Sequence, residues 1–360
     1  MKNKILFIIN GYGLGNSTRC SAIIEYLKAK GYEIDCITSN NSTFYFSGNE
    51  NISALLEFSP LKYSTTSEGE ISSLLTFING PRLLKSFIKN VRILKKRIEN
   101  ENYKAVVIDS DYSILPLIFK KSFTLVAINN AEQTVASSEG LPTKNREIFF
   151  QYLLERLDCS FHRLVPDLVL APQWQPAPEN TSNIKALPLI VRSGYQSTAS
   201  PGKLSKILMM FSGAGFQINQ RIIRELILPR DVTMDVLGLE GEDSENIRFH
   251  GKVHDSSEFV KNCNVMIINA GFSSISEALA LKKPMLLLPV NNHYEQLTNA
   301  LGIENLGVGQ IGNPLNLQFD LNEFLSKYQQ YTEVFKKTTI ECNGASLAAG
   351  HIDQLIKSKS

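Results

Sequence analysis

Residues 264–289 read N-V-M-I-I-N-A-G-F-S-S-I-S-E-A-L-A-L-K-K-P-M-L-L-L-P. The apolar run ending at Asn269 has the length and branching of a buried strand. Ala270 and Gly271 make a small turn, and the serines open a segment of helical period. A second apolar run from Met285 completes a strand, helix, strand unit of the kind that builds a parallel sheet. The first turn of a helix carries unpaired backbone N–H groups and the positive end of the dipole. Ser273 and Ser274, with the amides behind them, therefore make a phosphate site. Glu277 lies one turn further in; its charge is wrong for phosphate, but it can reach a neighbouring hydroxyl such as that of a ribose. Pro289 then starts a loop carrying His293, Glu295 and Gln296, which suits hydrogen bonding to a polyhydroxylated group.

The same alternation runs along the chain. Strand-like runs at 5–9, 33–38, 105–109, 124–129 and 167–171 are separated by helical or turn-rich material, and the cycle restarts at 206–213. Further strands are expected near 233–239, 246–250, 264–269 and 284–289. Between Pro188 and Lys203 the serines, glycines and prolines mark a connection. With 360 residues, more than one core usually holds, this predicts an α/β protein of two doubly wound domains facing across a cleft. Their spans are 1–190 and 204–344, and a last helix within 345–360 is free to return to the first domain. Ligands of such sheets sit beyond the carboxyl ends of the strands.

The first strand runs into N-G-Y-G-L-G-N-S-T-R-C, residues 10–20. As a dinucleotide fingerprint it fails twice. Asn16 stands where a third small residue should allow close helix packing, and Asp35 lies inside strand two rather than at its end. Both failures argue against a dehydrogenase. A plain chain-reversing turn is one reading; the other is that the amides of Gly13 to Asn16, Gly15 included, meet an anion or sugar oxygen in the cleft. Ser17 or Thr18 is expected to cap the following helix, which should stop at Gly31.

N-A-G-F-S-S-I-S-E-A-L, then K-P-M-L-L-L-P, then E-Q-x-x-N-A, resembles the nucleotide-sugar signature of the GT-B glycosyltransferases. The resemblance is strongest to the branch holding the bacterial peptidoglycan N-acetylglucosaminyltransferase and the UDP-glycosyltransferases. G-L-G-N-S-T-R is similar to that family's acceptor-side loop, and P-L-I-V-R at 188–192 to the segment leading into its linker. The resemblance implies a metal-independent transferase, with no cofactor beyond a nucleotide-sugar donor, most simply UDP-linked. By the same token Asn269, Gly271, Ser273 and Ser274 would hold the diphosphate and Glu277 the ribose. Glu295 and Gln296 would hold the donor sugar, Ser212 and Gly213 would add amides, and the base would lie against the backbone ending at Val253.

The family's usual histidine base is replaced here by Asn16, and an amide cannot accept a proton near neutral pH. I-D-S-D-Y supplies Asp109 and Asp111 at a later strand end. The preferred account makes Asp111 the base and Asn16 a positioning group, with Glu132 in reserve; a plainer role for Asp111, as a turn or cap residue, stands beside it. Hydrolysis of the nucleotide sugar, or binding without turnover, are the alternatives. His162 and His351 read as ordinary helix-face residues, His250 and His254 as turn residues.

Residues 81–99 place Leu84, Phe87, Ile88, Val91, Leu94 and Ile98 on one face, with Arg82, Lys85, Lys89, Arg92 and Lys96 opposite. Together with the apolar stretch from 71, this suits docking on anionic lipid and a glycan or lipid-linked acceptor of cell-envelope synthesis. The commoner meaning of such a pattern is a core face with a solvated basic side. Net charge is +2 and evenly divided, which argues against a nucleic-acid partner. Five scattered cysteines and the short first apolar run point to a cytosolic protein, with peripheral contact at the inner membrane face as the extension.

Overall fold

The computed structural model describes residues 3–11, 13–61, 64, 72–120, 122–137, 141, 145–174, 183–195, 202–211, 218 and 220–359. Two wholly parallel sheets carry the chain. The first contains β1 (Lys4–Ile9), β2 (Glu33–Thr38), β3 (Ala54–Glu57), β4 (Tyr103–Asp109), β5 (Thr124–Ile128), β6 (Leu168–Pro172) and β7 (Ile184–Leu187), in the order β3-β2-β1-β4-β5-β6-β7. The second contains β8 (Lys206–Met210), β9 (Thr233–Leu237), β10 (Ile247–Phe249), β11 (Val265–Ile268), β12 (Met285–Leu287) and β13 (Gly309–Ile311), in the order β10-β9-β8-β11-β12-β13. The expected doubly wound α/β architecture is therefore present. Central strands are buried on both faces, so they read as unbroken apolar runs rather than alternating ones.

Both sheets reverse their winding direction beside the first strand, β1 against β4 and β8 against β11. Each reversal leaves a crevice at the carboxyl ends, where Asn10 and Asp111 lie in one half and Asn269 in the other. Gly11 is required there: a Cβ would fall 1.5 Å from the carbonyl oxygen of Ser39, because the turn after β2 passes directly over it. The helix Gly15–Ala29 starts earlier than expected and has no side-chain cap. Thr18 Oγ1 donates instead to Gly15 O at 2.9 Å, and Ser17 Oγ meets Ser42 Oγ at 2.7 Å. The helix does stop at Gly31, whose φ of 87° suits glycine.

The final helix, Gly344–Ser358, crosses back to the first sheet. Its Ala345, Ala348, Ala349, Ile352 and Ile356 pack with Ile5, Phe7, Cys20 and Ile23 in a single core. The outward and return crossings run side by side, with Leu189 N donating to Glu341 O at 3.1 Å and Gly344 N to Leu189 O at 3.1 Å.

The basic amphipathic segment forms the helix Gly80–Asn100, but its apolar stripe is only half submerged. Leu94 is fully buried, and Ile93 and Ile98 pack beside it, whereas Leu84 and Ile88 are exposed, as are Phe77 and Ile78 at the end of the preceding short helix Ser73–Ile78. The most buried polar residue of the helix is Asn90. Its amide accepts from Ser59 N and donates to Ser59 O, both at 2.9 Å, completing the backbone pairing of that segment.

Candidate active site in the cleft

The helix Phe272–Ala280 follows β11 and begins at the cleft. Its turn is strained: Ala270 has a φ of 54°, held by Asn299 Nδ2 donating to its carbonyl at 3.1 Å. Asn269 donates from Nδ2 to Leu288 O at 3.1 Å, tying this turn to the end of β12. An added Cβ at Gly271, the N-cap, would meet none of the described residues within 4 Å. Ser273 Oγ donates across the cleft to Gly15 O at 2.9 Å. The two glycine and serine motifs, far apart in sequence, thus meet at one point. A cavity of about 240 Å3 lies beside them, bordered by Leu14 and Gly15 on one wall and by Val253, Ser273, Ser274 and Glu277 on the other.

Glu277 is buried and holds a partner that sequence reading missed. Arg192, from the segment between the sheets, donates from Nε to Oε1 at 2.9 Å and from Nη2 to Oε2 at 3.1 Å. The same guanidinium reaches Asp255 Oδ1 at 2.6 Å, Tyr195 OH at 2.6 Å and Ser256 Oγ at 3.2 Å. Burial pushes the Glu277 carboxyl above its usual pKa, and Arg192 opposes that push. The arginine closing the P-L-I-V-R stretch was the available signal, but nothing local says which carboxylate it meets.

On the opposite wall Arg19 is buried in a fan of acceptors. It donates from Nε to Asp109 Oδ2 at 2.6 Å, from Nη2 to Asp109 Oδ1 at 2.5 Å and to Asn16 Oδ1 at 3.1 Å, and from Nη1 to Asn130 Oδ1 at 3.2 Å. Asn16 also donates from Nδ2 to Asn10 O at 3.3 Å. Asp109 is fully buried and committed to this pair. Asp111 is buried as well, with Ser113 N donating to Oδ1 at 2.8 Å; burial raises its pKa, and the Ser113 contact works the other way. Ser110 between them has a φ of 54°.

Asn130 carries the network across. Its Nδ2 donates to Glu295 Oε1 at 2.9 Å, while Gln296 Oε1 accepts from Val290 N at 2.9 Å. Tyr294 N donates to Gln151 Oε1 at 3.0 Å, so the loop after β12 docks on the helix Arg146–Leu164. On the far side Lys252 Nζ donates to Asn41 Oδ1 at 2.8 Å, and His254 stacks on Phe44 with ring centres 3.7 Å apart. His254 therefore joins the two halves rather than merely occupying a turn.

His162 corrects the sequence reading. It is 1% exposed, not on an open helix face, with Nδ1 at 2.9 Å from Glu132 Oε1 and Nε2 at 3.6 Å from Asp158 Oδ1. Burial works against the charged ring, but Glu132 and Asp158 outweigh it and raise the imidazole pKa. Glu132 has thereby spent one oxygen on His162. Nearby, burial together with Glu295, Asp158 and Glu132 pushes Glu155 up to about 8. Ser212 and Gly213 lie outside the described residues.

A family model for glycosyl transferase family 1 matches residues 3–328. The chain belongs to that family. It is a glycosyltransferase, and its GT-B architecture is shared with solved enzymes. Uncharacterized glycosyltransferases of Methanosarcina acetivorans and Methanosarcina mazei are 24% identical over 338 residues and 23% over 341; each match covers 86% of this chain and 85% of the relative. MurG of Acinetobacter baumannii superposes with a TM-score of 0.58 at 14% identity, covering 98% of this chain and all of that one. UGT71G1 of Medicago truncatula, solved in complex with UDP-glucose, superposes at 0.63 with 12% identity, covering 99% and 98%. At such identities the structural likeness speaks for the fold. No helix among the described residues is long and apolar enough to cross a membrane.

Proposed function

We propose that this glycosyltransferase moves a sugar from a nucleotide-diphosphate sugar, most simply a UDP-sugar, to an acceptor hydroxyl, with inversion and without a metal. The observation that carries the reading is the meeting of Gly15 with Ser273 beside a cavity that also exposes Ser274 and Glu277. The amides at the start of the Phe272 helix neutralise the leaving diphosphate, which is the electrostatic work a metal would otherwise do. Glu277 accepts from the ribose, Val253 borders the base, and Glu295 and Gln296 face the sugar. Solved UGT71G1 holds UDP-glucose and UGT89C1 of Arabidopsis thaliana holds UDP-L-rhamnose, which favours a uridine donor.

The acceptor lies on the Asn16 wall and the diphosphate leaves on the Ser273 wall, so attack is in line from opposite sides and inverts the anomeric carbon. The acceptor oxygen bonds to that carbon, the bond to the diphosphate breaks, and the proton passes to Asp111. Asp109 is unsuited to this because Arg19 engages both of its oxygens. Asn16, held by Arg19, positions the acceptor. The exposed Phe77, Ile78, Leu84 and Ile88 beside basic Arg82 and Lys85 favour an acceptor presented at an anionic lipid surface.

The test is nucleotide release from a panel of UDP-, TDP- and GDP-sugars, with and without lipid extract and with chelator present. Release only with extract supports the transfer; release without acceptor makes the protein a hydrolase. Binding without release would make it a sugar-nucleotide-binding protein, and loss of release with chelator would remove metal independence.

A further inference from the structure

We infer that Arg192 is the positioning residue of the nucleotide site, holding Glu277 ionised and aimed for the ribose from the segment that joins the two domains. The inference rests on the reading of Glu277 as the ribose contact. Two ribose hydroxyls that both donate need a carboxylate, since a protonated acid spends one oxygen as a donor. Glu277 is 4% exposed, and a carboxyl so placed favours the neutral form unless a cation compensates. Arg192 is the cation in contact with it. The side-on pair engages one lone pair on each oxygen, leaving the others for a ligand in the cavity that Glu277 borders.

The surrounding groups support a fixed geometry. Tyr195 and Ser256 accept from Nη2 and Asp255 from Nη1, and the Tyr195 ring lies 4.8 Å from the guanidinium carbon. Five hydrogen bonds therefore hold the guanidinium in this orientation. The ionisable groups that act on Glu277 are Arg192 and Tyr195 from the joining segment, Asp255 from the loop before the helix Ser257–Asn262, and Tyr45 from the helix Asn40–Phe46. Lys252 and His254 border the same cavity. Of these, only Arg192 contacts the carboxylate with a permanent positive charge. Its backbone lies three residues past Leu189, which pairs with the returning chain at Glu341 and Gly344, so the segment carrying Arg192 is anchored by the second crossing between the sheets.

The experiment is UDP calorimetry from about pH 6 to about pH 9 on wild type, Glu277→Gln, Arg192→Met, Arg192→Lys and the double variant Arg192→Met with Glu277→Gln. The wild-type profile is the reference, since it also carries the ionisation of the UDP terminal phosphate and of His254 beside the cavity. Arg192→Met should weaken UDP about 10- to 100-fold, more at the acid end, as the unopposed carboxyl takes up its proton. Arg192→Lys keeps the charge and should restore the wild-type pH profile while staying about 10-fold weaker. On the Glu277→Gln background, Arg192→Met should add little. Should Arg192→Met not fold, Arg192→Lys decides: wild-type affinity there overturns the inference, since a point charge would then suffice without aiming. Wild-type affinity with the wild-type pH profile in Arg192→Met also overturns it, while the ribose reading stands if Glu277→Gln is weak. If Glu277→Gln binds UDP like wild type, the ribose reading itself fails.

Discussion

The hydroxyl of Ser273 lies 2.9 Å from the carbonyl oxygen of Gly15, and this contact joins the start of the serine helix in one domain to the start of the first helix in the other. Two helix N-termini face each other there, so the region between them is short of negative charge. The two helix ends are thus drawn together by the Ser273 hydroxyl, the group proposed to meet the diphosphate.

Gly15→Ala tests that closure. An added Cβ would stand 3.0 Å from Ser273 Oγ and 3.2 Å from Ser273 Cβ, tighter than ordinary packing. The variant should keep its thermal midpoint but raise KM for the donor, because the two helix ends can no longer approach. Unchanged KM would show that turnover does not need this contact. Ser273→Ala should weaken UDP about 10-fold by calorimetry, the usual cost of losing one hydrogen bond to a charged group.

The Arg19 to Asp109 pair is structural in the first instance. Arg19 is 3% exposed and Asp109 fully buried, so Arg19→Met leaves an unpaired buried carboxylate and should cost about 3–5 kcal/mol in chemical denaturation. Replacing both partners by apolar residues should recover much of that loss. If the single variant unfolds no more easily than wild type, the pair is not formed in solution.

With Asp111 as the proposed base, Asp111→Asn should abolish sugar transfer while leaving UDP affinity within twofold or so of wild type, because Asp111 follows β4 in the first domain whereas Ser273 and Glu277 belong to the second. The acid limb of the pH–rate profile should sit above that of an ordinary aspartate, since burial raises the Asp111 pKa and the base must be ionised to act. Wild-type turnover in the asparagine variant would remove Asp111 as base.

Glu155 gives a stability test. Its folded-state pKa of about 8 exceeds the ordinary value of 4.5, so the native state binds the proton more tightly than the unfolded chain. Stability from this group is therefore present below 4.5 and lost as pH rises to about 8. Glu155→Gln should raise the thermal midpoint increasingly as pH climbs from 4.5 to about 8, and change it least below 4.5. Equal midpoints throughout would place Glu155 in a solvated setting.

Sedimentation with vesicles tests the exposed apolar residues beside the basic stripe. Binding should need anionic lipid, fall with salt, and vanish in Leu84→Glu with Ile88→Glu, while UDP affinity holds. Equal binding to neutral vesicles would count against the charge argument.

The fold was largely legible in the sequence because it rests on local, repeated signals. Buried parallel strands such as Ile5–Ile9 and Val265–Ile268 must be apolar throughout, and the turns after them must be small, whatever the rest of the chain does. The short strands β3, β7 and β13 escaped notice because three or four residues at the edges of the sheets carry too little pattern. Glu277 and the serines were visible for the same local reason: they share one helix end. What tertiary structure alone decided was who pairs with whom. Arg192 meets Glu277, Arg19 meets Asp109, and Asn130 bridges to Glu295, each across scores of residues. Charge pairing depends on distance and burial in three dimensions, and neither is encoded in spacing along the chain. The half-submerged Leu84 helix has the same origin: its period set the apolar stripe, but only the neighbours it packs against determined which part of that stripe was covered.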